Sequence, residues 1–127
     1  MAEFVINGGK KLEGEITIAG SKNTVLPAIA ASLLTAEEVI LENIPASSDV
    51  LTMIEIVRAL GAKVEYDTLG KTIRVSAQNV STEILPEELS RKLRASILFS
   101  GSLLGRLRKA SLPYPGGDKI GRRPIST

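Results

Sequence analysis

Apolar and polar positions change period along the chain, and the changes mark out its elements. Phe4-Val5-Ile6 is a short apolar run closed by Asn7-Gly8-Gly9, and Glu15-Ile16-Thr17-Ile18-Ala19 alternates with period two, so both read as strands. Lys10, Lys11 and Glu13 between them read as solvated hairpin residues. After Gly20-Ser21-Lys22-Asn23-Thr24 the period lengthens: Leu26, Ile29, Ala30 and Leu33 share one helical face. Pro27 fits a helix only in its first turn, where the missing N–H has no partner, which predicts the cap at Asn23 or Thr24. Val39 to Ile44 predicts a strand ending at Pro45. Val50, Met53, Ile54, Val57 and Leu60 predict a second helix, starting at Ser47, Ser48 or Asp49 and stopped by Gly61. Residues 62–66 and 72–75 then alternate around Asp67-Thr68-Leu69-Gly70, a hairpin pattern.

From 15 to 75 the predicted order is therefore β-α-β-α-β-β, one compact α/β unit whose two helices cover one face of a sheet. Residues 76–84 are polar and read as a connector. Pro86-Glu87-Glu88 opens a further helix, continued by Leu89, Leu93 and Ile97. Arg91 or Arg94 can pair along it with Glu87 or Glu88, and a surface ion pair is the ordinary reading of either arginine. Gly101 and Gly105 interrupt the apolar stretch from Ile97 to Leu107, which predicts a broken helix or two short ones. Lys109-Ala110-Ser111-Leu112 reads as a strand, and Pro113-Tyr114-Pro115 leads stiffly into a glycine-rich loop. This second unit, about 85–127, has no closing element and reads as truncated.

Composition narrows the function classes. With 127 residues, 43% hydrophobic and 24% charged, the chain has the balance of one soluble globular domain. Its net charge is only +2, so any anion preference comes from local clustering. Phe4, Tyr66, Phe99 and Tyr114 are not interleaved with the basic residues, which argues against a nucleic-acid platform. Cys and His are absent, which excludes a disulfide framework and Cys/His metal sites and leaves Ser, Thr, Lys, Tyr and carboxylates as candidate nucleophiles. Met1-Ala2-Glu3-Phe4 resembles neither a signal peptide nor a membrane span, so the default location is cytoplasmic.

Two stretches carry candidate chemistry. In Gly116-Gly117-Asp118-Lys119-Ile120-Gly121-Arg122-Arg123-Pro124 the glycines let backbone N–H groups approach a ligand, while one carboxylate and three cations supply acid/base and anion-holding groups. A solvated basic turn is the alternative. Lys22 lies just ahead of a predicted helix N-terminus, where a cation opposes the helix dipole unless an anion sits between them. A lysine reaching to solvent beside an ordinary cap is the competing reading. Asp49 reads as a helix cap in preference to a functional carboxylate.

Gly20-Ser21-Lys22-Asn23, Leu60-Gly61-Ala62-Lys63-Val64, Arg94-Ala95-Ser96-Ile97 and the run from Leu112 to Pro124 together resemble the N-terminal portion of the UDP-N-acetylglucosamine enolpyruvyl transferases, the 1-carboxyvinyltransferases of peptidoglycan synthesis. The resemblance follows the whole chain in order and covers about the first third of such an enzyme. It implies an inverse α/β barrel built from β-α-β-α-β-β units, incomplete in this chain. Residues 1–20 would pack with a C-terminal domain, and residues 21–127 would form part of the catalytic domain. The implied reaction transfers the enolpyruvyl group of phosphoenolpyruvate to the 3′-hydroxyl of the sugar nucleotide and releases phosphate, without a cofactor or metal. It serves cell-wall biogenesis and hence cell shape and division.

Carried over by position, Lys22 and Asn23 contact phosphoenolpyruvate. Arg94, Arg123, Pro124, Ile125, Ser126 and Thr127 bind the sugar nucleotide, with Arg123 also facing phosphoenolpyruvate. The family has Asp-Leu where this chain has Ser126-Thr127. Asp118 stands where most members carry cysteine, and its implied role is proton donor to the methylene carbon. Fosfomycin alkylates that cysteine, so the aspartate implies insensitivity. The isolated chain, lacking the rest of the cleft, is expected to be inactive. The alternatives are the shikimate-pathway enolpyruvyl transferase, which Lys22-Asn23 and the Gly-Gly-Asp loop oppose, and a non-catalytic α/β nucleotide- or protein-binding module.

Overall fold

The computed structural model describes residues 3–117 and Ile125. Helix α1 (Lys22–Ala31) runs into a 3₁₀ turn at Ser32–Leu34, followed by strand β1 (Glu38–Leu41), helix α2 (Ser48–Ala59) and strands β2 (Lys63–Asp67) and β3 (Thr72–Ser76). Helix α3 (Glu87–Lys92), a 3₁₀ segment at Arg94–Leu98 and helix α4 (Phe99–Leu107) complete the elements. This is a mixed α/β arrangement. The strands form one antiparallel sheet in the order β1-β3-β2, with Val39 opposite Val75 and Val64 opposite the same residue on the other side.

Period-two alternation puts Val64, Ile73 and Val75 on the covered face, while Glu38, Lys63, Glu65 and Arg74 face solvent. The helices supply the other half of the core. Leu26, Ile29, Ala30 and Leu33 are buried, as are Val50, Met53, Ile54, Val57 and Leu60, and Phe99 and Leu103 of α4 join the same cluster. Each such side chain larger than alanine contributes roughly 1.5–3 kcal/mol relative to an exposed position.

Several expectations change. Residues 3–21 form no strand, and Phe4, Ile6, Ile16 and Ile18 are all exposed. Alternation specifies which face a strand buries, but a strand exists only where another offers its edge, and none of the described strands pairs with this segment. Helix α1 begins earlier than predicted, with Ser21 at the N-cap and no side-chain cap hydrogen bond, so neither Asn23 nor Thr24 caps it. Pro27 therefore lies inside the helix, beyond its first turn. Burial of Leu26 and Ile29 on either side holds the helix through the position where the proline removes a hydrogen bond.

Helix α2 follows its pattern, with Ser47 as N-cap and Gly61 at φ +100 after Leu60. The helix break falls at Leu93 (φ −140, ψ 120), while Gly101 and Gly105 lie within the continuous α4. Only one bridge, Ile84 to Ser111, stands where a strand was expected at 109–112. Of the two arginines offered as ion-pair partners, Arg91 meets Glu87 at 2.5 Å, at i,i+4. No helix among the described residues is long and apolar enough to cross a membrane.

The solvent face of the sheet carries its own charge pairing. Lys63 donates to Glu65 at 2.9 Å and Arg74 meets Glu38 at 3.3 Å. The hydrogen bond from Lys63, and then its charge, holds the Glu65 carboxyl below its ordinary value, and the same bond raises the Lys63 ammonium above its own. A lowered carboxyl contributes stability above the ordinary carboxylate range and loses it as pH falls through the lowered value; the raised ammonium loses its contribution as pH rises through the raised value. Both groups are exposed and screened, so the effect is small. Glu65→Gln is expected to lower the melting temperature slightly at neutral pH, with the difference closing in acid and in high salt. Calorimetric melts across pH check this, and a difference that widens toward acid would reverse the assignment.

Candidate active site

Lys22 and Asn23 occupy the first two positions of α1. Their place is fixed from the preceding residue. A Cβ on Gly20 would sit 1.8 Å from the carbonyl oxygen of Asn43 and 3.3 Å from the Pro45 ring, so the chain enters α1 pressed against the β1–α2 connection. Asn43 itself takes a left-handed conformation, φ 56, which a polar side chain of its type tolerates. Ser21 then accepts from the N–H groups of Thr24 and Val25 at 3.2 and 3.0 Å. One side of this first turn, through Ser21, Thr24, Val25 and Ala28, lines a cleft of about 370 Å³ against Ile40–Ile44. Lys22 lies outside that lining and donates instead to Asp49 Oδ2 at 2.6 Å. Asp49 is therefore no cap. Ser47 has that role, accepting from the Asp49 N–H at 3.2 Å, and the carboxylate is released for the lysine.

Arg94 opens the 3₁₀ segment directly after the break at Leu93. The break has a structural use. It leaves the Ser90 carbonyl to accept from Leu93 N–H (3.4 Å), Ser96 hydroxyl (3.2 Å) and Gly116 N–H (3.1 Å). Ser90 is fully buried, and its own hydroxyl donates to the Pro86 carbonyl at 2.8 Å. The start of the glycine loop is thus docked on the α3 end. A Cβ on Gly116 would lie 1.5 Å from the Arg91 carbonyl oxygen, and one on Gly117, at φ +99, would lie 2.9 Å from the Arg94 backbone nitrogen. Backbone packs on backbone here, which only glycine allows.

Ile125 faces a second cleft, of about 270 Å³, formed by Ile97 and Ser100 with the stretch Leu112–Pro115. Ile97 belongs to the same 3₁₀ segment as Arg94, and α1 packs against that segment as well. The structure therefore gathers the elements bearing Lys22, Asn23, Arg94 and Ile125 around Arg94–Leu98. Asp118, Arg123, Pro124, Ser126 and Thr127 lie outside the described residues. The sequence reading missed Asp49 as a partner of Lys22, and Tyr114, which lines the apolar cleft. Asp49 carried a signal that pointed elsewhere, since an acid at a helix start is read first as a cap.

The fold is a mixed α/β arrangement with a small open antiparallel sheet, and the similarities make the class specific. The family model described as EPSP synthase (3-phosphoshikimate 1-carboxyvinyltransferase) matches residues 6–127, and the chain belongs to this enolpyruvyl transferase family. Over 128 aligned residues it is 46% identical to the UDP-N-acetylglucosamine 1-carboxyvinyltransferase of Treponema denticola, covering 100% of this chain and 30% of the relative. Identity is also 46% to the UDP-N-acetylglucosamine 1-carboxyvinyltransferase 1 of Carboxydothermus hydrogenoformans, over 98% of this chain and 29% of that one. In structure it resembles the enolpyruvyl transferase NikO from Streptomyces tendae, with a TM-score of 0.67 and 29% identity over 76% of this chain and 22% of that one. The chain thus spans about 30% of the length of the curated relatives it matches.

Gly116→Ala tests the loop seat. The added methyl cannot fit against the Arg91 carbonyl, so the loop must shift by the order of 1 Å, a displacement that costs on the order of 10²-fold when it misplaces reacting groups. Turnover of the full-length enzyme is expected to fall by about that factor while the melting temperature changes little. Unchanged kcat/KM would mean that the seat does not position the loop.

Proposed function

We propose that these residues form part of an enzyme that transfers the enolpyruvyl group of phosphoenolpyruvate to the 3′-hydroxyl of UDP-N-acetylglucosamine, the committed step of peptidoglycan synthesis. The observation that carries this reading is identity of 46% to a UDP-N-acetylglucosamine 1-carboxyvinyltransferase along the whole chain. The reaction places the enzyme in the cytoplasm, where both substrates are made. Lys22 and Asn23 bind phosphoenolpyruvate. Arg94, Arg123, Pro124, Ile125, Ser126 and Thr127 bind the sugar nucleotide, and Arg123 also reaches phosphoenolpyruvate. Residues 1–20 pack with the C-terminal domain of the complete enzyme, which would cover the apolar side chains that are exposed at Phe4, Ile6, Ile16 and Ile18.

Asp118 delivers a proton to the methylene carbon of phosphoenolpyruvate as the sugar oxygen adds to the adjacent carbon and gives up its hydroxyl proton to a general base in the remainder of the complete enzyme. The product is a tetrahedral intermediate bearing a methyl group. Loss of a proton from that methyl and departure of phosphate restore the vinyl group on the sugar. Lys119, Arg122 and Arg123 in the same stretch favour the ionised carboxylate, so the negative charge of bound phosphoenolpyruvate is needed to return Asp118 to its acid form. Isolated, the 127 residues offer half a cleft and are expected to turn over little, because a transition state needs donors on every side.

The description of the family model favours a second reading, transfer to a shikimate phosphate. Phosphate release by the full-length gene product, with each acceptor in turn, separates the two. Release with UDP-N-acetylglucosamine and not with the shikimate phosphate is expected. Asp118→Asn is expected to lower kcat by about 10²–10⁴-fold and to abolish the fall of activity on the alkaline side of the pH profile, where a general acid ionises. An unchanged pH profile would remove Asp118 from that role.

A carboxylate also changes the inhibitor chemistry. Fosfomycin is opened by a thiolate, and a carboxylate is a far weaker nucleophile toward the epoxide. The full-length enzyme is expected to keep its activity after incubation with fosfomycin, and intact-mass analysis is expected to show no adduct. A rapid adduct on Asp118 would overturn this.

A further inference from the structure

The ion pair between Lys22 and Asp49 differs from the other pairs among the described residues. Lys11 with Glu13, Lys63 with Glu65 and Arg91 with Glu87 join near neighbours in sequence, and Arg74 with Glu38 joins adjacent strands at an exposed face. Lys22 and Asp49 are 27 residues apart and tie the first turn of α1 to the first turn of α2. Their side chains are 46% and 29% exposed, which makes the aspartate the most shielded member of any of these pairs. Its backbone N–H is already engaged by Ser47, so its carboxylate is not needed as a cap. The residues on which both helices rest, Gly20 against Asn43 and Pro45, fix the spacing the pair spans.

We propose that Asp49 is a positioning residue that fixes the ammonium of Lys22 for the anionic substrate. The proposal rests on the reading that Lys22 binds phosphoenolpyruvate. A lysine side chain has four rotatable carbon bonds, and one on a helix start otherwise samples many rotamers before it meets a ligand. A charge-assisted hydrogen bond at 2.6 Å selects among them in advance. The same carboxylate lowers the local positive charge, so two effects of opposite sign meet at this position. Loss of orientation weakens substrate binding, and loss of the competing negative charge strengthens it. The proposal requires the first to dominate.

The test uses the full-length gene product with Asp49→Asn and Asp49→Glu. Asparagine keeps the size and a weaker acceptor; glutamate keeps the charge. Asp49→Asn is expected to raise KM for phosphoenolpyruvate about tenfold or more, with KM for the sugar nucleotide changed less than about twofold and the melting temperature nearly constant. Asp49→Glu is expected to recover most of the loss. A KM for phosphoenolpyruvate that falls or stays constant in Asp49→Asn would overturn the proposal, and so would a rise of both KM values together with a lower melting temperature. Failure of the functional reading is a separate result, seen as no phosphate release by the wild-type protein with both substrates. Calorimetric titration with phosphoenolpyruvate then reads the same pair: binding weakened by Asp49→Asn and recovered by Asp49→Glu sustains the proposal, and binding equal in wild type and Asp49→Asn sinks it.

Discussion

The entry of the chain into α1 depends on one close approach of backbone to backbone. Gly20 lies so near the Asn43 carbonyl that no side chain fits between them, and this contact places the N-terminus of α1 beside the connection leading into α2. The placement of Lys22 and Asn23 follows from it. A helix start carries unsatisfied N–H groups and partial positive charge. Two such starts brought side by side favour negative groups, and Asp49 is one already in place. The buried faces of α1 and α2 pack on each other, in one core cluster with Ile73 and Val75 of the sheet, and keep the two starts from moving apart.

A second contact of the same kind seats the glycine loop. Gly116 and Gly117 pack on the backbone of Arg91 and Arg94, and the Ser90 carbonyl gathers three donors to hold the junction together. The interruption at Leu93 makes this possible, because a continuous helix would direct the Ser90 carbonyl along its own axis to a partner four residues on. An extended residue in mid-helix is here the condition for docking the loop. The segment Arg94–Leu98 then serves both sides, since α1 packs against it and the apolar cleft around Tyr114 opens beyond it.

What could be read from residues alone follows a physical division. The buried faces of α1, α2 and the β2–β3 hairpin were legible because period and burial are local properties, and Gly61 marked its helix end as a left-handed position does. Strands at 4–9 and 15–19 were not, since alternation states which side chains share a face and says nothing about whether an edge is there to pair with. Pro27 misplaced the cap, predicted at Asn23 or Thr24 and found at Ser21, because packing outweighed a missing hydrogen bond. Gly101 and Gly105 misled because a glycine permits a break without imposing one, and α4 is held by Phe99 and Leu103 in the core. Of the candidate site, resemblance named Lys22, Asn23 and Arg94, whose roles are proposals, and the carboxylate opposite Lys22 was hidden by its standing as an ordinary helix-start acid.

Arg106 shows how the scaffold keeps these pieces in register without using an ion pair. Its guanidinium donates to the Leu33 carbonyl at 3.2 Å and to the Ala77 carbonyl at 2.8 Å, joining α4 to the end of the first helical layer and to the chain leaving the sheet. Both acceptors are orphan carbonyls at the ends of elements, groups that would otherwise need water in a partly buried place. A planar donor with a fixed fork can serve two of them at once, which a lysine cannot. Helix α4, which packs on the segment Arg94–Leu98, is thereby tied to the first helical layer and to the sheet through neutral acceptors. Asp49, the carboxylate paired with Lys22, takes no part in this brace.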